Sequence, residues 1–415
     1  METFIVLLVF TMLLIDFGLN LFLSIINYRY SSTKIPDELS DVYDLKKYSK
    51  WKTYYAENFR ISIFSMVTKF IVIVTLLISD CFLFIDGFAK SITMKLSFQV
   101  LVVIGFYFLL LFIIDLVFSY YSTFKIEDKF GFNKMNKKLF FIDKIKSLIF
   151  TIVLGGGMIL GIISLYINLE KLFFIIAWLS AIVIMIIINL SYTTLIIPIF
   201  NKLKPLEESS LKTKIFDFAE GVGYEISKIS VMDASKRSSK LNAFFSGFGK
   251  SKRIVLYDTL IEKCTEEEIV AVLAHEIGHN KHKHIIFNML QSIVMLSIYI
   301  LGLMLFLNSP IFSIAFGFSQ INYGFNMILY FVILKSILIF VGLLTNSISR
   351  KFEYQADLYA AKEYSDIEVI KVLKVLSGEN FSNLTPHPLY IMFFYSHPSL
   401  YQRIQNIKTI KKDKF

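Results

Sequence analysis

Two histidines and a glutamate are grouped in the segment 275–279, which reads His-Glu-Ile-Gly-His. Residues four apart lie on one face of a helix, so the rings of His275 and His279 can reach the same metal ion. Glu276, beside the first ring, is placed to act as general base toward a water that a zinc ion has acidified. The pattern predicts the metal site of a zinc peptidase.

A catalytic zinc site also requires a third protein ligand and leaves the fourth position open. The best candidate is Glu353, which directly follows the last long apolar segment and is four residues before Asp357. On a helix their carboxylates share one face, so one can bind the metal while the other accepts a hydrogen bond from a ligand imidazole. Taken alone, such acids are more often solvated surface residues, and it is their position beside an apolar segment that favours a metal site.

The composition indicates a membrane protein. Of the 415 residues, 55% are hydrophobic and 18% are charged, and the mean hydropathy is +0.61. A soluble protein of this length requires more polar surface, so the predicted partner of the apolar surface is a lipid bilayer. The net charge of +10 comes from basic residues in short loops between apolar segments. That distribution indicates membrane orientation and argues against a nucleic-acid partner.

Seven segments are long and apolar enough to cross a hydrocarbon core of ~30 Å. The predicted spans are 3–27, 61–84, 96–120, 147–167, 172–198, 285–307 and 326–348. Several of them contain acids or amides, which are costly against lipid and are therefore expected to face the bundle interior or a wet cavity. These residues are Asp16, Asn20, Asp80, Asp115 and Asn189.

The distribution of Lys and Arg among the loops predicts the orientation. Seven such residues follow the first span and seven follow the third, whereas the loop between spans six and seven has none. The positive-inside rule then places the amino terminus outside and the carboxy terminus in the cytoplasm. The abundance of Ile, Phe, Lys and Asn favours an AT-rich genome, and hence a bacterial inner membrane; in a eukaryote the endoplasmic reticulum is expected.

Four parts of the chain follow from these spans. We expect spans one to five with their loops in 1–198, a cytosolic catalytic part in 199–284, spans six and seven in 285–348, and a second cytosolic catalytic part in 349–415. The motif helix is expected to begin after Thr265, which forms a capping box with Glu268, and to continue into span six.

Further segments of the sequence extend the motif. They are 124–133 (Phe-Lys-Ile-Glu-Asp-Lys-Phe-Gly-Phe-Asn), 197–201 with Pro205 and Leu206, 235–238 (Ser-Lys-Arg-Ser), 242–245 (Asn-Ala-Phe-Phe) and 396–398 (Ser-His-Pro) with Arg403. Together with the metal motif and the later pair of acids, they resemble the type I CaaX prenyl protease family, the integral-membrane gluzincins. The smaller bacterial heat-shock membrane proteases share the zinc site but have fewer spans.

The resemblance implies a mainly α-helical fold. Seven membrane helices would form a barrel around a water-filled chamber, and a cytosolic zinc domain with a small β-sheet would cap it. It implies one Zn²⁺ held by His275, His279 and Glu353, with Glu276 as general base. It also implies that an edge strand binds the substrate as an added strand, a common mode of peptide recognition. That strand comprises Asn242, Ala243, Phe244 and Phe245. One of the two phenylalanines is expected to pack into the core, because alternate side chains of a strand face opposite sides.

The resemblance gives supporting roles to residues outside the motif. His397 is similar to a family histidine that steadies the oxyanion, although a histidine in a Ser-His-Pro turn can equally cap a helix. Arg403 is similar to an arginine that supports the site. Arg350 is expected to pair with Glu353 or a neighbouring acid. His282 and His284 are expected to be interfacial, since a fourth protein ligand would close the water position.

The implied function is hydrolysis of peptide bonds by zinc-activated water. Eukaryotic family members remove the last three residues of farnesylated or geranylgeranylated proteins. Other membrane-associated polypeptides are the expected substrates in a bacterium, where the protease could serve membrane-protein quality control. A transporter or channel with a regulatory metal site is the alternative from a different class, and it has no need of Glu276.

Overall fold

Long helices dominate the computed structural model, which describes residues 1–169, 172–226, 228–246 and 253–412. In chain order the helices are α1 (Glu2–Tyr30), α2 (Leu45–Ile78), α3 (Cys81–Ile92), α4 (Leu96–Phe130), α5 (Lys137–Leu169), α6 (Phe173–Phe200), α7 (Ser210–Gly221), α8 (Asp258–Lys263), α9 (Glu266–Lys281), α10 (His284–Leu307), α11 (Ile311–Ile314), α12 (Tyr323–Ala360), α13 (Asp366–Glu379), α14 (Pro388–Phe394) and α15 (Leu400–Lys412). Within the described residues, seven helices are long and apolar enough to cross a membrane, which confirms the predicted number of spans. They are α1, α2, α4, α5, α6, α10 and α12.

The second span ends earlier than predicted. Ser79 adopts an extended backbone (φ −96°, ψ 160°) that ends α2, and Asp80 immediately precedes α3. Asp80 is exposed there and lies between two helices, so it is not inside the second span as predicted. The helix ends before Asp80 because a short polar side chain such as Asp favours a helix end over a helix interior.

The polar residues of the first span do face inward. Asp16 is buried and its Oδ2 lies 2.8 Å from Nζ of Lys335 on α12, while Asn20 donates to Asp16 Oδ1 at 3.1 Å. A cavity of about 530 Å³ between α1, α2, α4 and α12 is lined by these groups, by Lys69 and by apolar side chains. An ion pair inside a membrane protein is favourable where it faces such an interior space.

A four-stranded sheet lies next to the motif helix. Its strands are β1 (Leu203–Pro205), β2 (Lys228–Met232), β3 (Ala243–Ser246) and β4 (Arg253–Tyr257), in the order β1-β2-β4-β3. β2 and β4 are parallel, while β3 pairs with β4 antiparallel, with Ala243 opposite Leu256. β3 is therefore an edge strand of this sheet.

The motif helix α9 begins with the predicted capping box. The backbone N–H of Glu268 donates to Thr265 Oγ1 at 3.3 Å, and the N–H of Thr265 donates to Glu268 Oε2 at 2.9 Å. Two orphan N–H groups are satisfied in this way, which fixes where the helix starts. One apolar face of α9, with Ile269, Leu273 and Ile277, packs against β4 and α7.

The prediction that the motif helix runs on into span six is wrong. α9 ends at Lys281, and Lys283 adopts a left-handed backbone (φ 59°) before α10 begins at His284. A residue in this conformation cannot continue a right-handed helix, so the chain changes direction between the two helices.

Candidate active site

The two histidines of the motif face one point in space. His275 and His279 are one turn apart on α9, and their Nε2 atoms are 3.1 Å from each other. Both side chains are largely buried, with exposed fractions of 13% and 21%. The helical spacing thus brings the two rings together, as the sequence predicted.

Glu353 on α12 completes a set of three ligand atoms. Its Oε2 lies 3.4 Å from Nε2 of His275, and its Oε1 lies 3.3 Å from Nε2 of His279. A Cβ atom on Gly278 would be 3.1 Å from Cα and O of Ala356 and from Cβ of Tyr359. The absence of a side chain at Gly278 therefore lets α9 and α12 approach closely enough for Glu353 to reach the histidines.

These three residues fit a zinc ion. Ligand atoms bound at ~2.0–2.1 Å in a tetrahedral zinc site are roughly 3.3 Å from one another, which is close to the separations found here. Glu353 Oε2 is buried and has no hydrogen-bond partner among the described residues. Leaving a buried carboxylate oxygen without a partner is costly, and a metal ion removes that cost.

Asp357 and Arg403 support the first histidine. Asp357 Oδ1 lies 3.0 Å from Nδ1 of His275, and the Arg403 guanidinium donates to both Asp357 oxygens, at 2.6 and 2.8 Å. Burial lowers the pKa of His275, but the nearby carboxylates of Asp357 and Glu353 outweigh it and raise the pKa to about 9. The acids thus stabilise positive charge at this position, as a divalent cation requires.

His284 supports the second histidine. It is buried, and its Nδ1 lies 3.0 Å from Nδ1 of His279, while its Nε2 lies 2.8 Å from Oε1 of Gln355. Its ring also stacks on Phe352, with centroids 4.0 Å apart. A partner at the distal nitrogen of a ligand histidine fixes its tautomer and ring orientation. His284 is also the first residue of α10, a helix long enough to cross a membrane, whereas His282 is exposed.

Glu276 opens onto a cavity of about 220 Å³ that is also lined by His275, Glu353 and His397. Burial raises the pKa of Glu276, and the neighbouring His275 and His279 oppose this increase. A carboxyl group with a raised pKa holds a proton more readily than an exposed one, which suits a group that accepts and returns a proton.

Two family models together match almost the whole chain. Residues 24–202 match the model described as the CAAX prenyl protease N-terminal domain with five membrane helices, and residues 205–411 match peptidase family M48. The chain belongs to the M48 family of CAAX prenyl proteases.

Individual relatives agree with this assignment. The chain is 38% identical to the CAAX prenyl protease 1 homolog of Arabidopsis thaliana, over 71% of this chain and 70% of that protein. It is 32% identical to the CAAX prenyl protease 1 of Saccharomyces cerevisiae, over 93% of this chain and 91% of the yeast protein. The human CAAX prenyl protease 1 homolog is also 32% identical, over 72% and 71%.

A solved structure shows the same fold. The crystal structure of Ste24p from S. mikatae superposes with a TM-score of 0.91 at 31% identity, covering 97% of this chain and 98% of that one. The fold is that of seven membrane helices forming a barrel around a chamber, with a zinc domain that contains the small sheet. The protein is a multi-pass membrane zinc metalloprotease.

Two remaining residues of the protease differ in their contacts. His397 Nε2 lies 3.4 Å from Glu353 Oε1, and its Nδ1 lies 3.0 Å from Oγ of Ser396, so the ring is at the rim of the site. Arg350 does not make the predicted pair with Glu353 or a neighbouring acid. Its Nη1 donates to the backbone carbonyls of Ile391 and Tyr395, at 3.0 and 2.8 Å. Arg350 points toward the end of α14 and so holds the segment that leads to His397.

The predicted substrate strand borders the cavity. Asn242 and Ala243 line it together with His275 and Glu276. Phe244 packs edge-on against Tyr257 and Tyr192, with ring centroids 6.4 and 6.3 Å away. Phe244 is thus the residue that takes the packing role expected for one of the two phenylalanines, and Phe245 follows it in β3.

Proposed function

We propose that the protein hydrolyses peptide bonds with one Zn²⁺ held by His275, His279 and Glu353. The observation that carries this proposal is the convergence of their ligand atoms, at 3.1 to 3.4 Å from one another, beside the buried carboxyl of Glu276. Asp357 and Arg403 orient His275, and His284 orients His279. Three protein ligands leave a position open for water and substrate, as catalysis by zinc requires.

Side chains of this protein carry out the proton transfers and bind the substrate. When bound, zinc acts as a Lewis acid and lowers the pKa of a water molecule to near neutrality. Glu276 accepts the proton of the attacking water and returns it to the leaving amine. His397, at the exposed rim of the site, donates a hydrogen bond to the oxygen of the substrate carbonyl as negative charge develops on it. The edge of β3 holds the peptide extended across the cavity.

The proposed substrates are prenylated proteins with a C-terminal CaaX sequence, from which the last residues are removed. The names of the relatives, CAAX prenyl protease 1 from plant, yeast and human, support this class. Membrane anchoring of the protease fits a substrate that is itself held at a membrane by its lipid.

We further propose that the amino terminus is outside and that the catalytic parts 199–284 and 349–415 are cytoplasmic. The Lys and Arg residues of the first and third loops support this orientation. In a bacterium the membrane would be the inner membrane, and in a eukaryotic cell the endoplasmic reticulum. Cysteine labelling of single-cysteine variants in sealed vesicles tests the orientation; labelling of the two catalytic parts from the outer side would contradict it.

The decisive experiment compares Glu276→Gln with the parent protein in liposomes, using a farnesylated peptide that ends in CaaX. We expect cleavage to fall by roughly 10²–10⁴-fold while the zinc content stays the same, because only the general base is lost. The matched control is Glu267→Gln, the same change at an exposed position of the same helix. Cleavage by Glu276→Gln at the parent rate would refute the proposed mechanism.

A further inference from the structure

The carboxamide of Asn380 makes a pair of hydrogen bonds that imitates a neighbouring β-strand. Its Oδ1 accepts from the backbone N–H of Leu241 at 2.8 Å, and its Nδ2 donates to the carbonyl of Leu241 at 3.0 Å. Asn380 directly follows α13, where its own N–H donates to the carbonyl of Leu376 at 3.1 Å. A side chain held at the end of a helix thus occupies both pairing groups of one backbone residue.

Leu241 lies on the open edge of the sheet. The N–H of Tyr257 donates to the carbonyl of Asn242 at 3.2 Å, so the pairing of β3 with β4 extends to this residue. In an antiparallel pair, the N–H and C=O groups of successive residues point alternately toward and away from the partner strand. Since the backbone carbonyl of Asn242 points toward β4, the backbone groups of Leu241 and Ala243 point away from β4. They face the side on which a substrate strand would add.

These two open positions are not equivalent. At Leu241 both groups are taken by the partly buried Asn380. At Ala243 the N–H donates to Oδ1 of Asn242, at 2.9 Å, and the exposed side chain of Asn242 also hydrogen-bonds to Tyr257. An incoming peptide has to replace one hydrogen bond from Asn242 at Ala243 but two from Asn380 at Leu241, so pairing at Ala243 costs less.

The pairing positions at Leu241 and Ala243 both lie beside the general base. Leu241, Asn242, Ala243 and Asn380 line the same cavity of about 220 Å³ as Glu276. The residue at which pairing begins therefore determines which bond of the bound peptide reaches the zinc site. Because strand register moves in steps of two residues if the same side chains are to face the same way, a second register would shift the scissile bond by two residues.

We propose that Asn380 sets the register of the bound substrate. It blocks pairing at Leu241, so that the peptide pairs first at Ala243 and presents a single bond to the zinc site. The inference rests on the proposed function, in which β3 accepts the substrate as an added strand. Asn380 is on this account a positioning residue and takes no part in the chemistry.

Mass spectrometry of the products tests the proposal. The parent protein and Asn380→Ala are given a farnesylated peptide that ends in CaaX and extends well upstream. We expect one cleavage site for the parent, and for Asn380→Ala a second product displaced by two residues, because Leu241 becomes free to pair. Asn380→Asp keeps the acceptor for the Leu241 N–H but loses the donor to its carbonyl, so we expect a smaller share of the second product.

The matched control is Asn383→Ala, which removes a nearby asparagine that contacts Tyr55 and Thr385 and does not touch the strand. Its products should be those of the parent. Zinc content and melting temperature show whether each variant is folded. If Asn380→Ala does not fold, the products of Asn380→Asp test the proposal instead. The inference is overturned if a folded, zinc-loaded Asn380 variant cleaves only the parental bond, whatever the rate of cleavage. A parent protein that cleaves no peptide would instead refute the proposed function.

Discussion

Asp357 Oδ1 lies 3.0 Å from Nδ1 of His275, on the side of the ring opposite the nitrogen that faces Glu353. The Asp357 side chain is fully buried, and both of its oxygens accept from Arg403. This chain of contacts fixes which nitrogen of His275 is available to a metal.

We expect Asp357→Asn to weaken zinc binding by about 10–100-fold, as is typical when such a supporting partner is lost. The amide keeps the shape of the carboxylate but removes its charge from beside His275 and Arg403. Zinc competition with a chelator of known affinity measures the effect. Asp41→Asn is the control, because Asp41 is an exposed acid paired with Lys374 and neither residue lines the site cavity; equal zinc affinity in the two variants would contradict the supporting role.

A second prediction concerns His284. Its contact with Nδ1 of His279, at 3.0 Å, is expected to orient that ligand, so His284→Ala should release zinc faster and bind it about 10–100-fold more weakly. His282→Ala provides the comparison, since His282 is two residues away and exposed. Should the two variants retain zinc equally well, His284 would be a packing residue only.

A third prediction concerns pH. Burial raises the pKa of Glu276, and the ordinary value for Glu is about 4.3. The general base must be ionised, so kcat/KM should fall at acid pH as Glu276 takes up a proton. The positive charge of zinc favours the ionised carboxylate and so shifts this acid limb to lower pH than burial alone would give. The profile is measured with a peptide that has no titrating side chains. If the residual cleavage by Glu276→Gln showed the same acid limb, Glu276 would not be the group that titrates.

A fourth prediction concerns the contact between α9 and α12. Gly278→Ala would place a Cβ 3.1 Å from backbone atoms of Ala356, and overpacking of this kind costs ~1–3 kcal/mol. We expect a lower melting temperature and weaker zinc binding, because the two ligand-bearing helices are pushed apart. Gly161→Ala on α5, where nothing lies within 4 Å of the new Cβ, is the control and should not be destabilised.

Local rules in the sequence were sufficient for much of this site. The spacing of His275 and His279, the capping box at Thr265 and the seven apolar segments each depend on residues close in the chain. Glu353 was found because it follows a span that could return to the motif helix. Contacts between distant residues, such as Arg403 with Asp357 and Asn380 with Leu241, depend on packing that no local pattern specifies.

The contact of His284 with His279 was not predicted, and it has a specific physical origin. On a continuous helix, a residue five positions after His279 would point well away from it. The left-handed backbone of Lys283 (φ 59°) turns the chain and returns the ring to His279. A non-glycine residue in that conformation is uncommon, and the sequence has no signal for it.

The helix Tyr323–Ala360 has a consequence for how the zinc site can be studied and perturbed. It is uninterrupted for 38 residues, or roughly 57 Å at 1.5 Å per residue. One end packs Gly324 against Val100 and Val103 of α4, and the other carries Glu353 and Asp357. No break in this helix therefore separates Glu353, the proposed third ligand, from the membrane-spanning half of the molecule. A soluble fragment without the membrane-spanning part of this helix would lose the element that positions the Glu353 carboxylate. A compound that binds near Tyr323 and displaces the helix would inhibit the protease without contacting its metal site.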